Sequence, residues 1–174
     1  PDDFVFDVID EVLTEGVTSR LYSTLVRDKR LAASVLSDTN YPGVRAPNLF
    51  VIAATPLAPH SVTEVETAIY EELDRLKTEP ISAEEFERVL NGLDADLVRS
   101  LRSNSGLASQ LAFYQTVAGT WRYVLNARDR IAAVTPADVQ RVAAQYLTKP
   151  NRTVGVLVKK AQDKKMAAAG EVAR

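Results

Sequence analysis

The chain has 174 residues, enough for one domain of ordinary size with a core of its own. Hydrophobic residues make up 46% and charged residues 25%, globular proportions that exclude a disordered or fibrous chain. A formal net charge of −2 argues against nucleic acid as a partner, and the absence of cysteine removes disulfides, thiolate nucleophiles and cysteine-based zinc sites.

Residues 4–13 set Phe4, Val5, Val8, Ile9, Val12 and Leu13 at helical spacing, with Asp2 or Asp3 placed to cap the start. Gly16 ends that helix. Thr18 or Ser19 can cap a second one, whose inner face carries Leu21, Tyr22, Leu25 and Val26. From Leu31 the period changes: Ala33, Val35 and Leu36 predict a strand running toward Asn40, closed by a turn at Pro42, Gly43 and Pro47. Residues 48–55 (NLFVIAAT) predict an interior strand, antiparallel to the first.

A helical half follows. Ser61 with Glu64 reads as a capping box, opening a helix that Pro80 stops. Ser82 with Glu85 reads as a second, before Phe86, Val89, Leu93 and Leu97. Asn104 is expected to cap SGLASQLAFYQTVAG, which ends at Gly119. Trp121–Val134 predicts a further helix, and Thr135-Pro136-Ala137-Asp138 opens the last, with proline at its first position. Residues 152–158 (RTVGVLV) predict a third strand, and 161–174 a tail or linker.

Residues 1–160 are therefore expected to form a single α+β domain, a largely antiparallel sheet with helices packed on one side. Three strands are few for so many helices, and the chain opens without Met inside a helical pattern. Strands upstream of Pro1 are expected to be missing from this piece. Any targeting segment would lie there too, which leaves bacterial periplasm and cytoplasm equally open. No apolar run reaches the roughly 20 residues that span a bilayer.

Chemistry is sparse. His60 is the single histidine, whereas an H-E-x-x-H or H-x-x-E-H zinc site needs two imidazoles one helical turn apart. It reads as a loop residue before the capping serine. The carboxylates Glu84, Glu85 and Glu87, and Asp94 with Asp96, read as a solvated helix face rather than as paired acids in a cleft. No nucleophile elbow and no phosphate-cradling glycine pattern is present. Phe113, Tyr114, Trp121 and Tyr123 cluster at spacings that suit packing. No catalytic residue and no metal ligand set is expected.

Several stretches together resemble one family. They are GVTSRLYSTLVRDKRLAASV, PNLFVIAATP, AIYEELDRLKTEPISAEEFERV, SNSGLASQLAFYQTVAG and VTPADVQRVAAQYLTKPNRTVGVLV. In this order they are similar to the pitrilysin-like zinc peptidases, the inverzincins that include insulin-degrading enzyme and mitochondrial processing peptidase. The resemblance runs from Asp2 to about Lys159. It implies the metal-free C-terminal half of a two-domain subunit, with zinc in the absent N-terminal domain and none in this chain. It also implies peptide as substrate and a homologous partner subunit.

In that family's second domain an arginine and a tyrosine seven residues apart contact substrate, in a stretch of the form L-R-E-K-x-G-L-A-Y-S-V. Matched from Leu25 to Val35, the arginine position is Val26 and the tyrosine position is Ala33, so both are lost. Sliding the match by one offers Arg27 and Ser34, at most weak substrate or chamber contacts, and spoils the fit at Leu31-Ala32 and Val35. The resemblance thus implies a chain that closes a proteolytic chamber and helps bind substrate and partner without catalysis of its own. The alternative it leaves open is a scaffold subunit of the same fold in a larger complex.

Overall fold

The computed structural model describes residues 2–44 and 47–158, and of Arg128 the backbone only. The expected tail at 161–174 lies outside the described residues.

Helix α1 (Asp3–Leu13) is the hub. Its apolar stripe is buried along its whole length, with Val8, Ile9, Val12 and Leu13 fully enclosed. Each such side chain contributes about 1.5–3 kcal/mol through lost water contact. Asp2 stands at the N-cap position, but its side chain makes no cap bond there. Its carboxylate accepts instead from Arg141 Nη2 at 3.0 Å and Tyr146 OH at 3.1 Å, tying the start of α1 to the far end of the chain. Gly16 turns the chain at a φ of 76°, a left-handed conformation in which a side chain would strain.

The next segment is helical as expected but wound differently. Tyr22–Asp28 is a π-helix, closed by Lys29 N–H donating to the Thr24 carbonyl at 3.0 Å. Leu21 and Leu25 are fully buried. Ser19 does not accept from the helix; it is buried and its hydroxyl donates to the Gly16 carbonyl at 2.8 Å.

Strands β1 (Ala32–Tyr41) and β2 (Leu49–Pro56) pair antiparallel, as expected. The pairing passes from Ala32↔Pro56 to Ser34↔Thr55, so Ala33 is an extra residue in a β-bulge. The bulge explains a break in alternation: Ala32 and Val35, three apart, are both buried, while Ala33 and Ser34 are both exposed. Ser37 and Thr39 then meet α1, where they hydrogen-bond Asp10 and Asp7. One face of the sheet is thus covered by helices, and the other leaves Leu36, Tyr41 and Leu49 exposed.

Five more helices complete the fold: α2 (Val62–Thr78), α3 (Ala83–Leu101), α4 (Asn104–Val117), α5 (Tyr123–Ala132) and α6 (Pro136–Tyr146). The capping box at Ser61/Glu64 is complete, as is one at Thr135/Asp138. That at Ser82/Glu85 is not. Ser82 accepts from the Glu85 N–H, but the Glu85 carboxylate has turned to Arg20 instead of returning to the cap. The cap of α4 is Ser103, which accepts from Gly106 N–H at 2.9 Å, and Asn104 is the first helical residue. Gly106 itself is required by packing, because a Cβ there would overlap the Ser100 carbonyl.

Aromatic contacts carry the core outward. Phe6 of α1 meets Phe50 of β2 and Tyr146 of α6 at 5.6 and 5.5 Å. Phe4 stacks on Tyr123, and Tyr123 on Tyr114, linking α1, α5 and α4. Phe113, Tyr114 and Tyr123 thus pack, as their spacing predicted, and Trp121 lies under the Arg122 guanidinium at 4.7 Å.

The third expected strand is a correction. Residues 152–158 form no strand, and the sheet of the described residues has two strands. An apolar run with β-branched residues has strand propensity, yet a strand exists only where another edge supplies hydrogen bonds.

Candidate functional site

The corner between α1 and β2 concentrates the irregular backbone of the molecule. Within twelve residues lie the π-helix, a left-handed residue and the bulge at Ala33. The left-handed residue is Arg30, φ 50°, the one non-glycine with positive φ among the described residues. π-Helices and bulges store strain and re-aim side chains, and both gather at functional sites.

Polar side chains brace this corner from below. Arg20 reaches Glu85 of α3 with two parallel bonds, Nε at 2.8 Å and Nη2 at 2.7 Å. These bonds hold the Glu85 carboxyl below its usual range, against the opposing effect of its burial. Thr24 donates to Glu72 Oε1 at 2.9 Å, and Arg75 Nη1 donates to both Glu72 oxygens at 3.1 and 3.2 Å. Glu72 is buried in α2, so its charge is matched by Arg75 and its position by Thr24. The corner is therefore pinned to α3 through Arg20, just before the π-helix, and to α2 through Thr24 within it.

Glu85 thus leaves the solvated face assigned to it. Glu72 was legible as a polar residue on the stripe Val65, Ala68, Glu72, Leu76. Arg20 gave no local signal, since its partner is 65 residues away.

The four sequence-predicted positions fall on this corner. Val26 is half-buried in the π-helix and packs on the core. Ala33 is exposed at the bulge. Arg27 is exposed and forms a forked pair with Asp28, Nε to Oδ1 at 2.7 Å and Nη2 to Oδ2 at 3.0 Å. Ser34 is exposed and opposite Thr55. His60 lies before α2, with Nδ1 3.3 Å from Glu64 Oε1. Among the described residues no group of three or more His, Cys, Asp or Glu could hold a metal ion. Nor is any helix of the described residues long and apolar enough to cross a membrane.

Residues 1–93, which include the whole of this corner, match the peptidase M16 inactive domain. The chain belongs to that family. An uncharacterized zinc protease of Streptomyces coelicolor is 32% identical over 141 residues, covering 80% of this chain and 30% of its own length. Among solved structures, a protease from Helicobacter pylori superposes with a TM-score of 0.79 at 25% identity, covering 86% of this chain and 35% of that one. An inactive peptidase domain from Bordetella parapertussis gives a TM-score of 0.77 at 27% identity, covering 92% of this chain and 87% of that one. The chain spans about a third of the curated relatives it matches. The peptidase M16 inactive domain is thus the frame in which the corner is to be understood, and the α+β fold with helices on one face is that of its solved members.

Proposed function

We propose that this chain is the metal-free domain of a zinc-dependent endopeptidase subunit. It closes the proteolytic chamber, helps hold peptide substrate and docks a homologous partner subunit, while zinc is held by the parent's other domain. The observation that carries this reading is the pair Val26 and Ala33. Where the resembled family pattern has an arginine and a tyrosine, this corner offers two side chains that cannot donate a hydrogen bond to a carbonyl or a developing oxyanion. Catalytic hydrogen bonding then falls to the partner, which carries the Arg/Tyr pair. Arg27 and Ser34, both exposed, add at most weak contacts to substrate.

The backbone supports this register. Matched from Leu25, the family pattern sets its glycine on Arg30, the residue with a φ of 50°. Shifting the match by one would set that glycine on Leu31, which has no need of it.

The test uses the full-length parent, alone and mixed with candidate partner subunits, with zinc content and cleavage of unstructured peptides measured on each. Zinc bound by the parent, with cleavage only when an Arg/Tyr-bearing partner is present, is the expected result. A parent that holds no zinc and cleaves with no partner would make this domain part of a scaffold.

A further inference from the structure

Arg30 stands in a conformation that arginine does not favour. Its φ of 50° brings the β-carbon close to the following carbonyl oxygen, where glycine would have no β-carbon to crowd. Backbone bonds fix the chain on both sides of it. Lys29 N–H donates to the Thr24 carbonyl at 3.0 Å, and Leu57 N–H donates to the Leu31 carbonyl at 2.8 Å.

The other cations of the corner are matched. Arg20 holds Glu85, Arg27 forks onto Asp28, and Lys29 Nζ lies 3.2 Å from Glu71 Oε2. Arg30 is exposed, and no hydrogen bond or ion pair joins it to another of the described residues. A long cationic side chain thus stands on a strained backbone without a polar contact inside the domain. Such outliers gather where function uses them. Arg30 also lies between Val26 and Ala33, the two positions matched to the family's substrate contacts, and just ahead of the bulge that leaves Ala33 and Ser34 exposed.

We propose that Arg30 sets a substrate preference at this corner by pairing with a carboxylate of the bound peptide. A guanidinium presents parallel N–H donors that fit the two oxygens of a carboxylate, and its rigid mount lowers the cost of holding it ready. The carboxylate belongs to an acidic side chain or to the C-terminus of the peptide. The inference rests on the reading of this domain as one that holds peptide substrate. An acidic residue elsewhere in the parent polypeptide is the competing partner, and it would cancel any preference among peptides.

Fluorescence anisotropy of the full-length parent with labelled, unstructured peptides tests it. The peptides share one sequence and differ only in a central Asp or Asn and in a free or amidated C-terminus. At low salt a carboxylate-bearing peptide is expected to bind about fivefold more tightly than its uncharged counterpart, a difference that shrinks as salt rises. Whichever change removes the gain identifies the carboxylate as side chain or chain end. Arg30→Gln removes the charge and should erase the preference. Arg30→Lys keeps the charge without the fork and should retain part of it. Equal binding of all the peptides by the parent would overturn the inference and leave the substrate-holding reading in place. A preference that survives in Arg30→Gln would overturn it as well. If no peptide binds, both fall.

Discussion

Asp7 lies on the side of α1 turned toward β1, where Thr39 Oγ1 donates to it at 3.4 Å. Burial lifts its carboxyl to about 6, and the neighbouring charge of Asp10 adds to the rise. Glu11 is lifted to about 7, by burial first and then by Glu15 and Asp96. Asp10 moves the same way through burial, opposed by the bond from Ser37. A carboxyl whose folded pKa exceeds its unfolded value of about 4 binds its proton more tightly when folded. Its contribution is complete below that unfolded value and is lost as pH rises through the folded one. Stability should therefore fall between pH ~4 and ~7. Asp7→Asn keeps the shape and cannot ionise, so it should be about 1–2 kcal/mol more stable than the parent sequence at pH 8 and equal to it at pH 4. Urea melts at the two pH values read this directly, and an equal difference at both would refute it. Glu85 works with the opposite sign: Arg20 lowers its pKa, so its contribution is present above the unfolded value and is lost as pH falls.

Elements whose signals are local were legible in the sequence. The capping boxes at Ser61/Glu64 and Thr135/Asp138 need only residues three apart, and both formed. Ser82/Glu85 has the same spelling and failed because Arg20 outcompeted a backbone N–H for the carboxylate. A charged guanidinium with two parallel bonds is the stronger donor. The π-helix was not legible, since Leu21, Leu25 and Val26 suit an α-turn equally well. Arg30 sits just past that π-helical turn with its φ at 50° and its side chain exposed. A left-handed non-glycine residue costs about 1–2 kcal/mol, part of which glycine returns as entropy of the unfolded chain. Arg30→Gly should accordingly raise stability by about 0.5 kcal/mol, seen as a small rise in melting temperature. A fall instead would show that the arginine side chain holds the corner together.

At the scale of the whole molecule, helices on one face of an antiparallel sheet followed from stripes and turns that each element carries within itself. The third strand did not, because a strand is completed by its neighbour, and no neighbour of 152–158 lies among the described residues. The same distinction between what the chain carries and what its surroundings supply governs metal binding. Zinc in a catalytic site takes three protein ligands and in a structural site four, drawn mostly from imidazole and thiolate. This chain has one histidine and no cysteine, and His60 is held at the start of α2 by Glu64. Carboxylates alone would have to complete the set, yet Glu64 is already engaged by the Ser61 N–H and hydroxyl at 2.7 and 2.8 Å. These bonds, with His60, hold the Glu64 carboxyl down to about 2, so its charge is satisfied without a metal. Dialysis of the chain against zinc at neutral pH, followed by elemental analysis, should leave well under one ion per chain. His60→Ala should leave that content unchanged. Stoichiometric zinc that is lost in the His60→Ala variant would reveal a metal site in this domain and refute the expectation.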